Sequence, residues 1–248
     1  MKKLFSTENH MCFMFSDLTS AEMIQANQHI IFHNNEAVIL DPGGHKVYTK
    51  LFSEISKEIP GAKISHIFLS HQDPDIIASL NGWLLTTDAK AYLPEIWIRF
   101  ITHFGIDQIL VKKVTTIPDS GGIIKFGDIE LKIIPAHFLH SSGNMHLYDP
   151  VSKILYTGDL GLSIGAEYEF VEDFDNHIKY MENFHKRYIP ASKAITIWLK
   201  TLEKLNLEIE TIAPQHGAII NGKENVNKFF NWIKDLKVGV DISGDSWI

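Results

Sequence analysis

Apolar residues fall in short runs between turn residues over most of the chain and in helical stripes toward its end. Residues 11–16 and 28–33 read as strands, and Asn34-Asn35 makes a tight turn into a third, Ala37-Val38-Ile39-Leu40. Val47, Leu51, Ile55 and Ile59 recur every four residues, which predicts a helix that Pro60-Gly61 stops. A strand follows at 64–69 and another at 90–93, with Pro94 opening a helix over 95–104 at its first turn. Turns at 117–122 and 126–128 lead into an alternating strand at 129–134, and two more strands stand at 145–148 and 154–156. Ile195, Trp198, Leu199, Leu202 and Leu205 repeat at three and four, the spacing of a helix with one buried face. A strand at 209–213 enters the sharp loop Pro214-Gln215-His216-Gly217, and a last helix spans roughly 223–236 with Val226, Phe229, Phe230 and Ile233 inward. Strands then helices, twice over, suit a β-sandwich with helices on its outer faces, one arrangement among several that fit this order.

With 248 residues, 45% hydrophobic and 21% charged, the composition is that of a globular protein, expected here as a single domain over 1–248. The net charge of −7 argues against nucleic acid or an anionic membrane as partner. Cys12 is the only cysteine, so no internal disulfide forms, and its apolar surroundings (Met11, Phe13, Met14, Phe15) give it the role of a buried spectator. No run approaches the roughly 18 apolar residues of a membrane span, and the apolar start is too short for a signal peptide. A cytoplasmic, reducing location is the expectation.

Chemistry concentrates at strand ends. After the strand at 64–69 come His71, Asp73 and Asp75 at alternate positions, which extended backbone turns to one side. Pro74 stiffens the loop and Asp75 can cap a helix entering at Ile76. Two readings stand: a polar turn whose carboxylates only cap, or an imidazole and two carboxylates drawn together by a multivalent cation. Three further turns share the habit: Pro135-Ala136-His137-Phe138-Leu139-His140-Ser141-Ser142-Gly143-Asn144, then Gly158-Asp159-Leu160-Gly161, then Pro214-Gln215-His216-Gly217. Trp83, Trp97, Phe100 and Phe138 read as core packing first and as a pocket wall second.

Together these turns resemble the metallo-β-lactamase superfamily, whose pattern is HxHxDH, a His before Ser/Thr-x-Gly, a Gly-Asp, and a late His. Here stand His71-x-Asp73-x-Asp75, His140-Ser141-Ser142-Gly143, Gly158-Asp159 and His216-Gly217, and Asp41-Pro42-Gly43-Gly44 looks like the superfamily's early Asp turn. The resemblance runs from about Val38 to His216 and implies an α+β fold, an αββα sandwich with a two-metal site at the sheet edges. Two positions depart from the pattern: Asp73 replaces the middle His, and Ile76 replaces the last one. Flavodiiron proteins carry Glu at the middle position. The runs His-Gln-Asp-Pro-Asp-Ile at 71–76 and Ala-His-Phe-Leu-His-Ser at 136–141 are closer still to the oxygen-binding di-iron proteins, free-standing relatives without the flavodoxin domain.

That resemblance implies a metal set of His71, Asp73, Asp75, His140, Asp159 and His216, with no catalytic side chain named. One metal takes His71, Asp73 and His140, the other Asp75 and His216, and Asp159 bridges. His140 is preferred to His137 because Ser141-Ser142-Gly143 follows it, and His146 reads as structural. His10, His29, His33, His45, His66, His103, His177 and His185 read as surface or core histidines. Three imidazoles and three carboxylates suit iron or manganese better than an imidazole-rich zinc site. Two divalent irons, three carboxylates and one hydroxide sum to zero charge, which is cheap to bury. The implied function is a di-iron protein that binds dioxygen as a sensor or carrier, without FMN, reporting to a chemoreceptor and built as a homodimer. Alternatives are O₂ or NO reduction with an external electron donor, a dinuclear metallohydrolase acting on an ester, lactone or phosphodiester, and a binding scaffold.

Overall fold

The computed structural model describes residues 1–16, 18–20 and 23–242. The chain divides into two compact units, Met1–Ile133 and Ile134–Ile248. In the first, strands β1 (Lys2–Ser6), β2 (His10–Phe15), β3 (Gln28–His33) and β4 (Glu36–Leu40) precede helix α1 (Tyr48–Glu58). Strand β5 (Lys63–Phe68), the short helices α2 (Pro74–Ile77) and α3 (Leu80–Thr86), and strands β6 (Lys90–Pro94) and β7 (Val114–Ile117) follow. These seven strands form one sheet in chain order, antiparallel from β1 to β4 and parallel from β4 to β7. The middle strands β2, β3 and β4 are the most completely buried, each with one residue short of full burial. Val47, Leu51, Ile55 and Ile59 of the α1 stripe are buried in the core of this unit beside Ile39, Ile67 and Trp83. Each such side chain contributes about 1.5–3 kcal/mol on burial.

A hairpin, β8 (Gly122–Phe126) to β9 (Ile129–Pro135), turns at Gly127 with φ +60°. The second unit holds β10 (Met145–Asp149), β11 (Ile154–Tyr156), α4 (Phe174–Tyr188), α5 (Ser192–Leu205), β12 (Thr211–Ala213), β13 (Ile220–Asn221) and α6 (Lys223–Asp235). Its sheet is mixed too: β10 and β12 flank β11, antiparallel and parallel respectively, and β13 pairs antiparallel with β12. A separate core gathers Trp198 and Leu202 of α5, Phe229 and Ile233 of α6, and Phe174 and Met181 of α4.

Several expectations are corrected. The helix expected over 95–104 is a 3-10 helix of six residues, Glu95–Phe100, followed by turns, and Pro94 sits before its first residue. Short 3-10 pieces bond at i, i+3 and so escape a search for period 3.6. Strands β1, β7, β8 and β13, with helix α4, were not read from the pattern. Four are short or polar-faced strands, and α4 buries two histidines (His177, His185) on the face where apolar residues are sought. The Asn34-Asn35 turn is confirmed in detail, with φ of +47° and +69°, as a two-residue hairpin with both central residues left-handed requires. Trp83 is a core residue at 0% exposure, whereas Phe138 is 49% exposed. Cys12 is fully buried and faces His10 Nε2 at 3.6 Å, and His10 continues through His33 to Asp128, so these histidines are linked rather than isolated.

Candidate metal centre

In the first unit the site begins where β4 and β5 end side by side. Asp41, with φ +50°, accepts a hydrogen bond from the Ser70 amide at 2.8 Å and donates its own amide to the Phe68 carbonyl at 2.9 Å. The early Asp turn thus fixes the backbone one residue before His71. Ser79 anchors the same turn to α2, its amide and hydroxyl bonding the Gly43 and Pro42 carbonyls, each at 3.0 Å. His71 is completely buried, and Ser70 Oγ lies 2.9 Å from its Nδ1. A metal held by Nε2 would leave the ring proton on Nδ1, where it would donate to Ser70 Oγ and fix tautomer and ring plane. His71 Nε2 stands 3.6 Å from Asp73 Oδ2.

The alternation expected through Asp75 breaks at Asp73. Asp73 is still extended, with φ −65° and ψ 147°, but it is the residue that precedes α2, and its carbonyl receives the Ile76 and Ile77 amides. The helix therefore begins at Pro74, two residues earlier than expected, because proline is pre-shaped for a first helical position. Asp75 lies within that first turn, where its charge complements the helix dipole, and lines a cavity with Gly44 and Ala78. Ile76 is fully buried in apolar core.

In the second unit three turns converge on Asp159. Its carboxylate presents Oδ2 to His140 Nε2 at 3.5 Å and Oδ1 to His216 Nε2 at 3.4 Å. The His140 turn is tightly built: Phe138 and His140 both take positive φ, +64° and +90°, and Asn144 Nδ2 donates to the Leu139 carbonyl at 3.1 Å. A non-glycine residue held there costs about 1–3 kcal/mol, a cost met most often where position matters more than stability. Phe184 and Tyr188 of α4 stack near the His140 ring, at 5.7 and 5.5 Å between centroids. Gly158 and Gly161, at φ +54° and +88°, let the chain double back around Asp159. On the far strand end, Gln215 donates its amide to the Gly158 carbonyl at 2.7 Å, tying the His216 loop to the Asp159 loop.

These nitrogen–oxygen distances are 3.4, 3.5 and 3.6 Å. Charge-assisted hydrogen bonds are shorter, about 2.7–2.9 Å. Donors that share one metal at about 2.1 Å each sit about 3.0–3.4 Å apart at octahedral to tetrahedral angles. The spacing is close to that of ligands around an ion, and the donor set of imidazole and carboxylate fits iron. Replacing Ser70 by Ala is expected to weaken metal binding about 10- to 100-fold with little change in the melt of the metal-free protein. Competition with a chelator checks this.

One positioning residue escapes sequence reasoning altogether. His185 on α4 is fully buried; its Nδ1 donates to the Met181 carbonyl at 2.7 Å, so its Nε2 accepts from the Gly161 amide at 2.9 Å. It thereby holds the loop that carries Asp159, and nothing in its sequence context marks it. Burial pushes both His185 and His177 down to about 4. Because the folded value lies below the unfolded one of about 6.5, the unfolded chain binds more protons between these limits. Stability is therefore full above about pH 6.5 and falls as the pH drops toward 4, by about 3 kcal/mol for His185 alone at the lower end. Urea melts of the metal-free protein across that range test this, and His185→Gln is expected to shallow the slope by about one proton.

The mixed sheets, their helices and this cluster define a metallo-β-lactamase-like α+β fold of the flavodiiron kind. The likeness of fold extends to the rubredoxin oxygen:oxidoreductase of Desulfovibrio gigas, with TM-score 0.80 over 94% of this chain and 61% of that one at 14% identity. A model of the ODP family beta lactamase matches residues 24–217, and the chain belongs to that family. It is 37% identical to a chemotaxis sensor ODP solved as a peroxy diiron species, with TM-score 0.86 over 97% of both chains. The apo state of the sensor from T. denticola gives 36% identity and TM-score 0.86 over 99% of this chain and 98% of that one. Among curated proteins, an uncharacterized protein of Methanocaldococcus jannaschii is 27% identical over 203 residues, 80% of this chain and 49% of its own length. The nitric oxide reductase of Moorella thermoacetica is 34% identical over 109 residues, 42% of this chain and 27% of its own. The chain thus spans about half or less of the length of these curated relatives.

Proposed function

We propose that this chain is a non-haem di-iron protein that binds dioxygen and reports it in signalling. The observation that carries the reading is the Asp159 carboxylate, which offers one oxygen to each of two imidazoles at metal-sharing distances. His71, Asp73 and His140 would hold one iron, Asp75 and His216 the other, with Asp159 bridging. Bound iron would supply redox chemistry toward dioxygen. Ile76, at a place where the superfamily has a ligand, leaves the second ion one protein donor short. The kinship with a chemotaxis sensor supports the signalling role, with a chemoreceptor as partner. The match across 24–217 supports reading 1–248 as one working domain. Among the described residues no helix is long and apolar enough to cross a membrane, which suits a cytoplasmic location. A homodimer completes the proposal.

The relation to a nitric oxide reductase favours a second reading, reduction of O₂ or NO with electrons from an outside donor. Metal analysis after anaerobic purification, followed by turnover assays, separates the readings. About two irons per chain and slow oxygen consumption are expected. Rapid consumption on adding a flavin reductase would favour the reductase. Zinc in place of iron, with hydrolysis of a generic ester, would overturn both.

A further inference from the structure

The loop that presents His140 is costly in three places. Phe138 and His140 hold φ of +64° and +90°, and Asn144, 0% exposed, leaves its Oδ1 without a hydrogen-bond partner among the described residues. Strained backbone and an unmet buried acceptor both lower stability, and proteins keep them where position matters more. Asn144 nevertheless closes the loop three times. Its carbonyl accepts from the Ala136 amide at 3.0 Å, its amide donates to the Ser141 carbonyl at 3.2 Å, and its Nδ2 donates to the Leu139 carbonyl at 3.1 Å. Leu139 lies between the two left-handed residues, so the side-chain amide grips the loop where the strain is. His146, fully buried in β10, brings its Nε2 to 3.3 Å from the same Nδ2 and meets Trp198 of α5 edge-on at 5.4 Å between centroids.

We infer that His146 and Asn144 are positioning residues for His140, holding its backbone left-handed and its Nε2 toward Asp159 before any metal arrives. Asn144 Nδ2 carries two protons. One goes to the Leu139 carbonyl and the other to His146 Nε2, which is therefore the unprotonated ring nitrogen. With the amide turned over, Oδ1 would face a carbonyl oxygen and a ring lone pair, so His146 fixes which way the amide points. Trp198 in turn confines the ring. A ligand held in advance loses less freedom on binding, and an orienting partner controls metal affinity about 10- to 100-fold. His146 acts on His140 through Asn144 and the loop, so it needs no contact with an ion. The role in metal binding rests on the di-iron reading, whereas the clamp on the loop does not depend on it.

The test compares the wild type with Asn144→Ala and two variants of His146. His146→Phe keeps a ring against Trp198 and removes the acceptor; His146→Gln returns an acceptor oxygen at similar reach. NMR of the metal-free proteins reads the sign of φ at Phe138 and His140 from intraresidue amide–Hα cross-peaks, and anaerobic titration reads Fe²⁺ affinity. Asn144→Ala and His146→Phe are expected to release both residues from left-handed values in part of the population and to bind Fe²⁺ about 10- to 100-fold more weakly. His146→Gln is expected to stay close to the wild type in both readouts. A purely structural histidine would lower the melting temperature in His146→Phe and leave φ and the affinity of the folded protein unchanged. That result, or a His146→Gln variant as impaired as His146→Phe, overturns the inference. A chain that binds no Fe²⁺ in any form fails the di-iron reading instead, and the φ comparison still decides whether the pair clamps the turn.

Discussion

Asp159→Asn is expected to lose metal almost completely while the fold persists. The substitution keeps size and shape but removes the charge and one of the two acceptor oxygens that face His140 Nε2 and His216 Nε2. An amide nitrogen cannot coordinate, so one imidazole of the pair loses its shared partner. Loss of an orienting neighbour alone costs metal affinity about 10- to 100-fold, and loss of a bridging donor costs at least the upper end of that range. Iron content after anaerobic reconstitution is expected to fall from about two per chain to a small fraction of one. The metal-free variant is expected to melt within about 1 kcal/mol of the metal-free wild type, since the carboxamide keeps the size and shape of the carboxylate. A variant that keeps its iron, or one that fails to fold without any metal present, would show that Asp159 is structural.

Gly217→Ala is expected to be the most damaging single methyl addition near the site. Gly217 has φ +77°, and an added β-carbon would collide with both the hydroxyl and the backbone carbonyl of Ser163. Backbone cannot rotate aside as a side chain can, and Ser163 is itself committed, its Oγ accepting from the Ala218 amide at 3.0 Å. Left-handed strain and overlap together are expected to cost about 3 kcal/mol or more. The displacement would also carry His216 away from Asp159. A denaturant melt measures the first effect and metal titration the second. Ser163→Ala in the same chain removes only the hydroxyl clash and is expected to restore little.

The legible parts of this chain were those written in local chemistry. Strands β3, β4, β6, β10 and β11 showed as apolar runs, and α1, α5 and α6 as period-four stripes. The turns bearing His71, His140, Asp159 and His216 showed because glycine, proline and histidine cluster at strand ends. What remained hidden was set by partners distant in sequence. Ser70 and His185 act only through the ring or amide they touch. Helix α4 presents histidines where a hydrophobic stripe is expected, and burial rather than sequence makes them core residues. The alternation places Asp75 on an extended run; its helical setting follows from Pro74, whose preference for a first turn outweighs the alternation.

The most direct test of the central claim is to load the protein with ferrous iron anaerobically, admit air and record the visible spectrum. A new charge-transfer band at about two irons per chain, persistent in air and erased on reduction, is the predicted result. A colourless protein that releases its iron or shows no spectral change on exposure to oxygen would contradict it.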